Sequence, residues 1–405
     1  MERRQLAGLL ARWRPASAPV RTVVDEPDPA RFMAAVAAAV AGSGPVFLAN
    51  PAWQAGERAE LARLVDGAEA GALGWLMIPS GGSGGALKFA RHDGHTLAAA
   101  VGGFSRHFGL AQVNAVSVLP LHHVSGFMAW MRSALTGGAF LPWDWKELEQ
   151  GRFPAVPEAG CLSLVPTQLQ RLLASPPAVA WLRGFRIIFV GGGPSWGGLL
   201  DVAAQLGLPL SPGYGATETA AMATAVRPAE FQAGMRGCGS PLPHAAVDFV
   251  GGVVRVTGDS VFRGYYPELR ADRAWLTEDL GHFGPDGSLV IEGRRDDVII
   301  TGGQKVSPPE VEALLRASGE FADVVVVGVP DPEWGQSVVA CHPRAARPIA
   351  REAVDAALVD IAAYKRPKHY VEVSPWPRNA QGKISRPELA RLAALSPPPP
   401  SPRGS

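Results

Sequence analysis

Cysteine is nearly absent. The three residues present in 405, Cys161, Cys238 and Cys341, stand far apart with no Cys-x-x-Cys pair. That excludes a disulfide framework and a cysteine-built zinc site, and it fits a reducing compartment such as the cytoplasm. Net charge is missing as well: 38 basic against 37 acidic side chains leave +1. No global field therefore draws the chain to nucleic acid or an anionic membrane, and any anion it binds is bound locally. No apolar run approaches the ~18 residues of a membrane span. The start, Met1 to Val24, is rich in arginine and poor in acid, but its apolar stretch, Leu6 to Ala11, is too short for a secretory core. A surface helix is expected there, with an organelle transit peptide as the alternative.

Apolar residues, in contrast, make up 47% of the chain and charged ones 19%, enough for a large core and against general disorder. At roughly 150 residues per domain the length suits two or three domains. From Val46 to about Gly215, runs such as VFLAN, WLMIP, VNAVSVLP, AFLPW, CLSLVP and FRIIFV read as buried strands. They alternate with helix-length segments such as DGHTLAAAVGGFSRHFGL, GFMAWMRSALTGG and SWGGLLDVAAQLG. Strand and helix in alternation imply parallel pairing with crossover helices. After Glu218 the texture turns to β-branched runs broken by glycine, with Gly251-Gly252 as a hairpin turn. A third texture follows, with the helix EVEALLRAS, the strand DVVVVGV and the helix REAVDAALVDIAAY.

The expected fold is thus α/β. Residues 1–293 form a large domain of layered sheets with crossover helices plus a small barrel-like β part. Residues 294–393 form a small mobile α+β domain that acts as a lid, and residues 394–405, rich in proline, form a disordered tail.

The run Pro79-Ser80-Gly81-Gly82-Ser83-Gly84-Gly85-Ala86-Leu87-Lys88 follows the apolar WLMI. Four glycines let a backbone turn several N–H groups inward, a concavity suited to phosphate oxygens, and Ser80, Ser83 and Lys88 add donors. The Walker spacing is not met, because Lys88 is followed by Phe89 instead of Ser or Thr. Gly81 to Gly85 does contain G-x-S-x-G, the signature of a hydrolase whose nucleophile would be Ser83. That motif needs a helix directly after the serine, whereas LKFARH alternates like a strand. A plain Gly/Ser surface loop is the remaining reading.

Taken in order, the motifs resemble those of the acyl-adenylate-forming (AMP-binding) superfamily of acyl-CoA ligases, luciferases and peptide-synthetase adenylation domains. SGGSGGALK is similar to its phosphate loop, PLHHVSG to its histidine motif, GYGATET to its adenine and magnesium motif, and TEDLG to its ribose motif. GRRDDVIITGGQKVSPPEVE is similar to the domain junction, and RNAQGKISR to the motif of the catalytic lysine. Within the superfamily PLHHVSG, GGGP and PRNAQGKI look most like the o-succinylbenzoate–CoA ligases. Gly84 and Leu87 stand where the family has a hydroxyl residue and proline, and Gln304-Lys305 departs from the usual junction pair. The chain is also short for the superfamily, with the shortfall expected at the N-terminal side.

The resemblance implies ATP and Mg2+ as cofactors, a small carboxylic acid as substrate, and CoA as the acceptor of an acyl-AMP. It implies that Ser80, Gly81, Gly82, Ser83 and Lys88 hold phosphate, that Glu218 holds the magnesium and Thr217 the α-phosphate, and that Tyr214, Gly215 and Gly192 border the adenine. Asp279 and Arg294 would hold the ribose, Lys383 would stabilise charge during adenylation, and His123 would gate thiol entry at an acyl pocket walled by Phe127 and Trp130. Asp296 would be the hinge between two working arrangements, and Gly302 and Gly303 would leave room for the pantetheine arm. Lys365, Arg366 and Lys368 form a basic cluster that suits either the phosphates of CoA or a solvated basic face.

Without the resemblance these residues read as a core aromatic (Tyr214), a helix cap (Asp279), a surface ion pair (Arg294), a core histidine (His123) and a solvated lysine (Lys383). A stand-alone enzyme loading a carrier protein and a non-catalytic acyl-nucleotide binding protein are the rival functions.

Overall fold

Alternation along Ile187–Val190 sets the centre of the first unit. Ile188 and Val190 join one apolar cluster with Leu162, Leu164, Leu200 and Leu210, while Ile187 and Phe189 join another with Phe104 and Phe108. A strand buried on both faces belongs inside a sheet. The computed structural model, which describes residues 1–13, 22–66, 73–80, 87–193, 197–345, 347–378 and 384–396, puts it there. The sheet has seven strands in the order Ser240–Pro241, Ala221–Ala225, Leu210–Ala216, Ile187–Val190, Cys161–Leu164, Ala115–Ser117, Phe140–Pro142. The last five run parallel, and Ala221–Ala225 runs antiparallel to both of its neighbours.

A second, four-stranded sheet holds Val23–Val24, Val46–Leu48, Leu76–Ser80 and Lys88–His92, the last antiparallel to its neighbour. The expected strands and crossover helices are thus present, divided between two sheets. The helices Gly94–Phe108 and Val124–Thr136 are buried on more than one face. Leu97, Val101, Phe127 and Trp130 pack into a cluster with Leu48, Leu76 and Ile78, while Phe104 and Phe108 pack with Phe189.

The helix expected near the N-terminus spans Arg3–Leu10, but it is less superficial than its composition suggests. Leu6 and Leu10 are fully buried, and the Arg3 guanidinium donates to the carbonyls of Ala39, Val40 and Gly44 at the end of the helix Pro29–Ala41. A cation at a helix C-terminus meets the negative end of its dipole. Gly251 and Gly252, both in the left-handed region (φ +59° and +80°), turn the hairpin Ala245–Val250 to Val253–Gly258 as expected. Among the described residues that β piece is a four-stranded sheet in the order Ala245–Val250, Val253–Gly258, Ala274–Phe283, Leu289–Arg294.

The chain divides into two units, Met1–Thr277 with His282–Val290, and Glu278–Gly281 with Ile291 onward. In the second, a five-stranded sheet is built on Val325–Asp331 and Gly335–Pro343. Val326 and Val338 face the helices Pro308–Ala317 and Arg351–Ala357, and Val325, Val327 and Val339 face the helix Arg386–Leu395. The helix read from REAVDAALVDIAAY stops at Ala357, and a short 3-10 turn, Ala363–Lys365, follows. The helix Arg386–Leu395 runs two residues into the stretch expected as tail.

Glu312 is fully buried on Pro308–Ala317. Its carboxylate takes Arg386 Nη2 at 2.7 Å, the Val326 N–H at 2.9 Å and Arg316 Nη2 at 3.4 Å. Removing one partner of a buried pair leaves the other charge uncompensated. Glu312→Ala should therefore destabilise the second unit by roughly 3 kcal/mol, read as a shift of its urea midpoint. A loss below about 1 kcal/mol, the size of an exposed pair, would show that the pair is solvated.

Candidate active site

The turn after Leu210–Ala216 is held in a conformation few sequences adopt. Thr217–Thr219 form one 3-10 turn, and Ala220 and Ala221 then take φ of +52° and +74°, each costing on the order of 1 kcal/mol for a residue with a Cβ. Neighbours enforce it. The Thr219 hydroxyl donates to the Ala221 carbonyl at 2.6 Å and accepts from the Ala216 N–H at 2.9 Å. The Phe262 N–H donates to the Glu218 carbonyl at 2.8 Å, and His92 Nε2 bonds the Thr217 carbonyl at 2.7 Å. Since a carbonyl only accepts, the His92 proton sits on Nε2. At Gly215 an added Cβ would lie 1.8 Å from the Ala221 carbonyl oxygen, so only glycine fits there.

The turn presents Glu218, which is buried (4% exposed). Ser80 Oγ donates to its Oε1 at 2.5 Å and the Tyr265 hydroxyl donates to the same oxygen at 2.7 Å. Burial, and then the charge of Glu218, push the Tyr265 pKa up, so the phenol remains a donor. Lys88 Nζ lies 5.8 Å from the Tyr265 ring centre. Ser80 and Lys88 face each other as the last pair of their two strands; Gly81, Gly82 and Ser83, between them, lie outside the described residues. The segment after this loop is the strand Lys88–His92, as expected, and not the helix a hydrolase elbow requires. Among the described residues no group of three or more His, Cys, Asp or Glu side chains could cage a metal. A single buried carboxylate with neutral donors on one oxygen suits a magnesium ion that keeps most of its ligands from phosphate and water.

Tyr214 and Thr217 belong to the same strand and turn, and Gly192 (φ +75°) follows Ile187–Val190. His123 caps the start of Val124–Thr136, its ring 4.4 Å from that of His122. Burial, and then His123, hold His122 down to about 3. Phe127 and Trp130, expected as acyl-pocket walls, sit in the apolar core, with Trp130 edge-on to Trp13. Asp93 caps Gly94–Phe108 and pairs with Arg263 at 2.8 Å. Burial works to raise the Asp93 pKa, but the Arg263 hydrogen bond and the Thr96 N–H outweigh it.

The remaining candidates lie in the second unit. Arg294 grips Asp296 with a fork (2.9 and 3.0 Å) and stands 3.7 Å from Asp279. Gly302 and Gly303 (φ +55° and +76°) form the two-residue turn between Ile299–Thr301 and Gln304–Val306, a turn that itself demands glycine. In the basic cluster Lys365 pairs with Glu310, Arg366 bonds the carbonyls of Val359 and Ile361, and Lys368 lies over the Trp334 ring. Lys383 lies outside the described residues; the chain on either side is joined by a bridge between Arg378 and Ile384.

His92, Thr219 and Tyr265 are side chains of this corner that the motifs do not single out. His92 and Tyr265 fall in LKFARH and FRGYY, but nothing local marks a residue whose partner is 125 positions away, as for His92 and Thr217.

Burial holds both His92 and His244 down to about 4, against the hydrogen bonds that the carbonyls of Thr217 and Met222 accept from them. Both rings are neutral when folded and titrate near the usual 6.5 when unfolded. Between these values the unfolded chain binds more protons, so stability falls as pH falls. Going from pH 7 to 5 should lower stability by on the order of 1–2 kcal/mol per ring, measured by urea unfolding at the two pH values; an unchanged midpoint would mean the rings are charged in the fold.

The model of the AMP-binding enzyme family matches residues 74–266, and that of the AMP-binding enzyme C-terminal domain matches residues 310–383. Among curated relatives, the indoleacetate–CoA ligase of Aromatoleum aromaticum is 32% identical over 321 residues, covering 73% of this chain and 62% of that protein. The 2-succinylbenzoate–CoA ligase of Geobacillus kaustophilus is 32% identical over 301 residues, covering 68% and 60%. The chain thus spans about 60% of the length of these relatives. Among solved structures, the o-succinylbenzoate coenzyme A synthetase of Bacillus subtilis in complex with ATP and magnesium ion has the same fold, with a TM-score of 0.77 at 22% identity over 95% of this chain and 92% of that one. With residues 74–266 and 310–383 matched by the two family models and a relative 32% identical over 73% of its length, the chain belongs to the AMP-binding enzyme family.

Proposed function

We propose that the protein is an ATP-dependent acid–CoA ligase: a carboxylate attacks the α-phosphorus of ATP to give acyl-AMP and pyrophosphate, and CoA then takes the acyl group as a thioester, releasing AMP. The observation that carries this reading is the Glu218 carboxylate, buried and clamped by Tyr265 and by Ser80, the residue that precedes the glycine-rich run in sequence. Two anions must meet in the first step, and the site has to neutralise them. In this proposal Glu218 holds magnesium, while Thr217, Lys88 and the loop from Ser80 through Gly81, Gly82 and Ser83 hold phosphate. Tyr214, Gly215 and Gly192 border the adenine, Asp279 and Arg294 hold the ribose, and Lys383 stabilises charge in the transition state. His123, with Gly302 and Gly303, serves thiol entry.

The acid we propose is o-succinylbenzoate, supported by the names of several relatives, which would place the reaction in menaquinone or phylloquinone formation. An aromatic monoacid is the second reading, supported by the indoleacetate–CoA ligase. We propose the cytoplasm as the place of action. Two of the three cysteines, Cys161 and Cys341, are buried, which pushes both thiols up to about 12, and among the described residues no helix is long and apolar enough to cross a membrane.

A panel of acids assayed for ATP-dependent pyrophosphate release, with thioester formation from CoA followed in parallel, tests the reading. Release with o-succinylbenzoate, and little with benzoate or short fatty acids, is expected; efficient turnover of a fatty acid with none of o-succinylbenzoate would remove the specific acid. Lys383→Ala should lower pyrophosphate exchange at least ~10²-fold, the effect of losing one preorganised charge, with an unchanged melting curve. Near-normal exchange would make Lys383 a solvated charge.

We propose Asp296 as the pivot between the half-reactions. Proline there fixes φ near −65° and restricts the residue before it. Asp296→Pro should still form acyl-AMP while thioester formation from added acyl-AMP and CoA collapses. Equal loss of both steps in a variant that melts normally would remove the two-conformation mechanism.

A further inference from the structure

Residues 262–266 reach Glu218 twice. The Phe262 N–H donates to its backbone carbonyl at 2.8 Å, and the Tyr265 hydroxyl donates to its side chain at 2.7 Å. The segment is itself tied down. Tyr265 forms an antiparallel bridge with Ala90 of the strand Lys88–His92, and the Tyr266 N–H donates to the Phe89 carbonyl at 2.9 Å. The Tyr265 ring stands edge-on to the buried Phe262 ring, 4.8 Å between centres. Backbone and ring therefore give the phenol a fixed place.

The direction of its hydroxyl is set by Trp275, on the strand Ala274–Phe283. The Trp275 side chain hydrogen-bonds the Tyr265 oxygen, and its ring lies 6.3 Å from that of Phe262. An indole N–H can only donate, so the phenol oxygen accepts and its one proton is left for Glu218. The chain of donors runs one way, from Trp275 Nε1 to Tyr265 Oη to Glu218 Oε1, and hydrogen bonds in such a chain polarise one another. Ser80 Oγ donates to that same Oε1 at 2.5 Å. Neither hydroxyl uses Oε2. Partners that orient a metal ligand in this way set its affinity for the metal as much as the ligand does.

We infer that Tyr265, and Trp275 through it, are positioning residues for Glu218: they pin Oε1 and leave Oε2 to the magnesium ion. This rests on the proposed ligase reading, in which Glu218 holds that ion, and deepens it by naming what orients the carboxylate. Neither aromatic residue need touch nucleotide or acid, because both act through Glu218.

Calorimetric titration with a non-hydrolysable ATP analogue, with and without Mg2+, tests the inference. Wild-type protein should bind the analogue more tightly with Mg2+. Tyr265→Phe, which keeps the ring, should weaken binding of the Mg2+ complex roughly 10-fold, the lower end of losing a partner of a metal ligand, while binding without Mg2+ stays near wild type. Trp275→Phe should act in the same direction by a smaller factor. The two substitutions together should be no worse than Tyr265→Phe alone, since the tryptophan acts through the hydroxyl. In pyrophosphate exchange both variants should need more Mg2+ for half-maximal rate and recover most of the rate when Mg2+ saturates. A purely structural trio of rings gives the opposite pattern, a lower melting temperature with unchanged Mg2+ dependence, and that result, or additive effects of the two substitutions, would overturn the inference.

If no acid supports pyrophosphate release, the ligase reading fails, and calorimetry still decides the positioning role. Loss of the Mg2+ increment in Tyr265→Phe would uphold it; an increment equal in wild type and variant, or none in either, would sink it.

Discussion

The first unit depends on how closely two strands can approach. Where Leu210–Ala216 meets Ala221–Ala225, the carbonyl of Ala221 occupies the space that a side chain at Gly215 would need. Beside that approach Ala220 and Ala221 take left-handed backbone, and the tight turn before them carries Glu218 into a buried position. His92 and Phe262 each fix one backbone carbonyl of this corner, and Thr219 fixes the Ala216 N–H and the Ala221 carbonyl. Strain confined to a few residues and surrounded by satisfied hydrogen bonds persists only because the neighbours over-determine it.

Three buried ionic groups are handled in three ways. Glu312 is matched by arginines and a backbone N–H and serves the fold. Glu218 takes neutral hydroxyls from Ser80 and Tyr265 on one oxygen. Arg132 lies over the Phe104 ring, with the Phe189 ring farther off.

The layered architecture is legible in the sequence because strands buried on both faces are unbroken apolar runs, and Ile187–Val190 is one. The hairpin at Gly251-Gly252 is legible for a chemical reason, since both residues need positive φ. The division of the strands into two sheets is not, because pairing partners such as Leu76–Ser80 and Lys88–His92 are local while the other neighbours are distant in sequence. REAVDAALVDIAAY reads as one helix because its apolar spacing continues past Ala357, yet the structure ends the helix there. Phe127 and Trp130 suit an acyl pocket as bulky apolar residues near His123, but such residues are as well satisfied in the core, where Trp130 meets Trp13. Arg132 leaves no local mark: an arginine on a helix reads as exposed until the packing around it is known.

Asp93 and Arg263 show what burial does to the history of a sequence. The aspartate starts one helix and holds an arginine that stands two residues before Tyr265, and both partners are largely out of water. Changing either one first strands the other's charge in the interior. A single exchange at either position therefore costs more than a double exchange that removes the charge and its partner together.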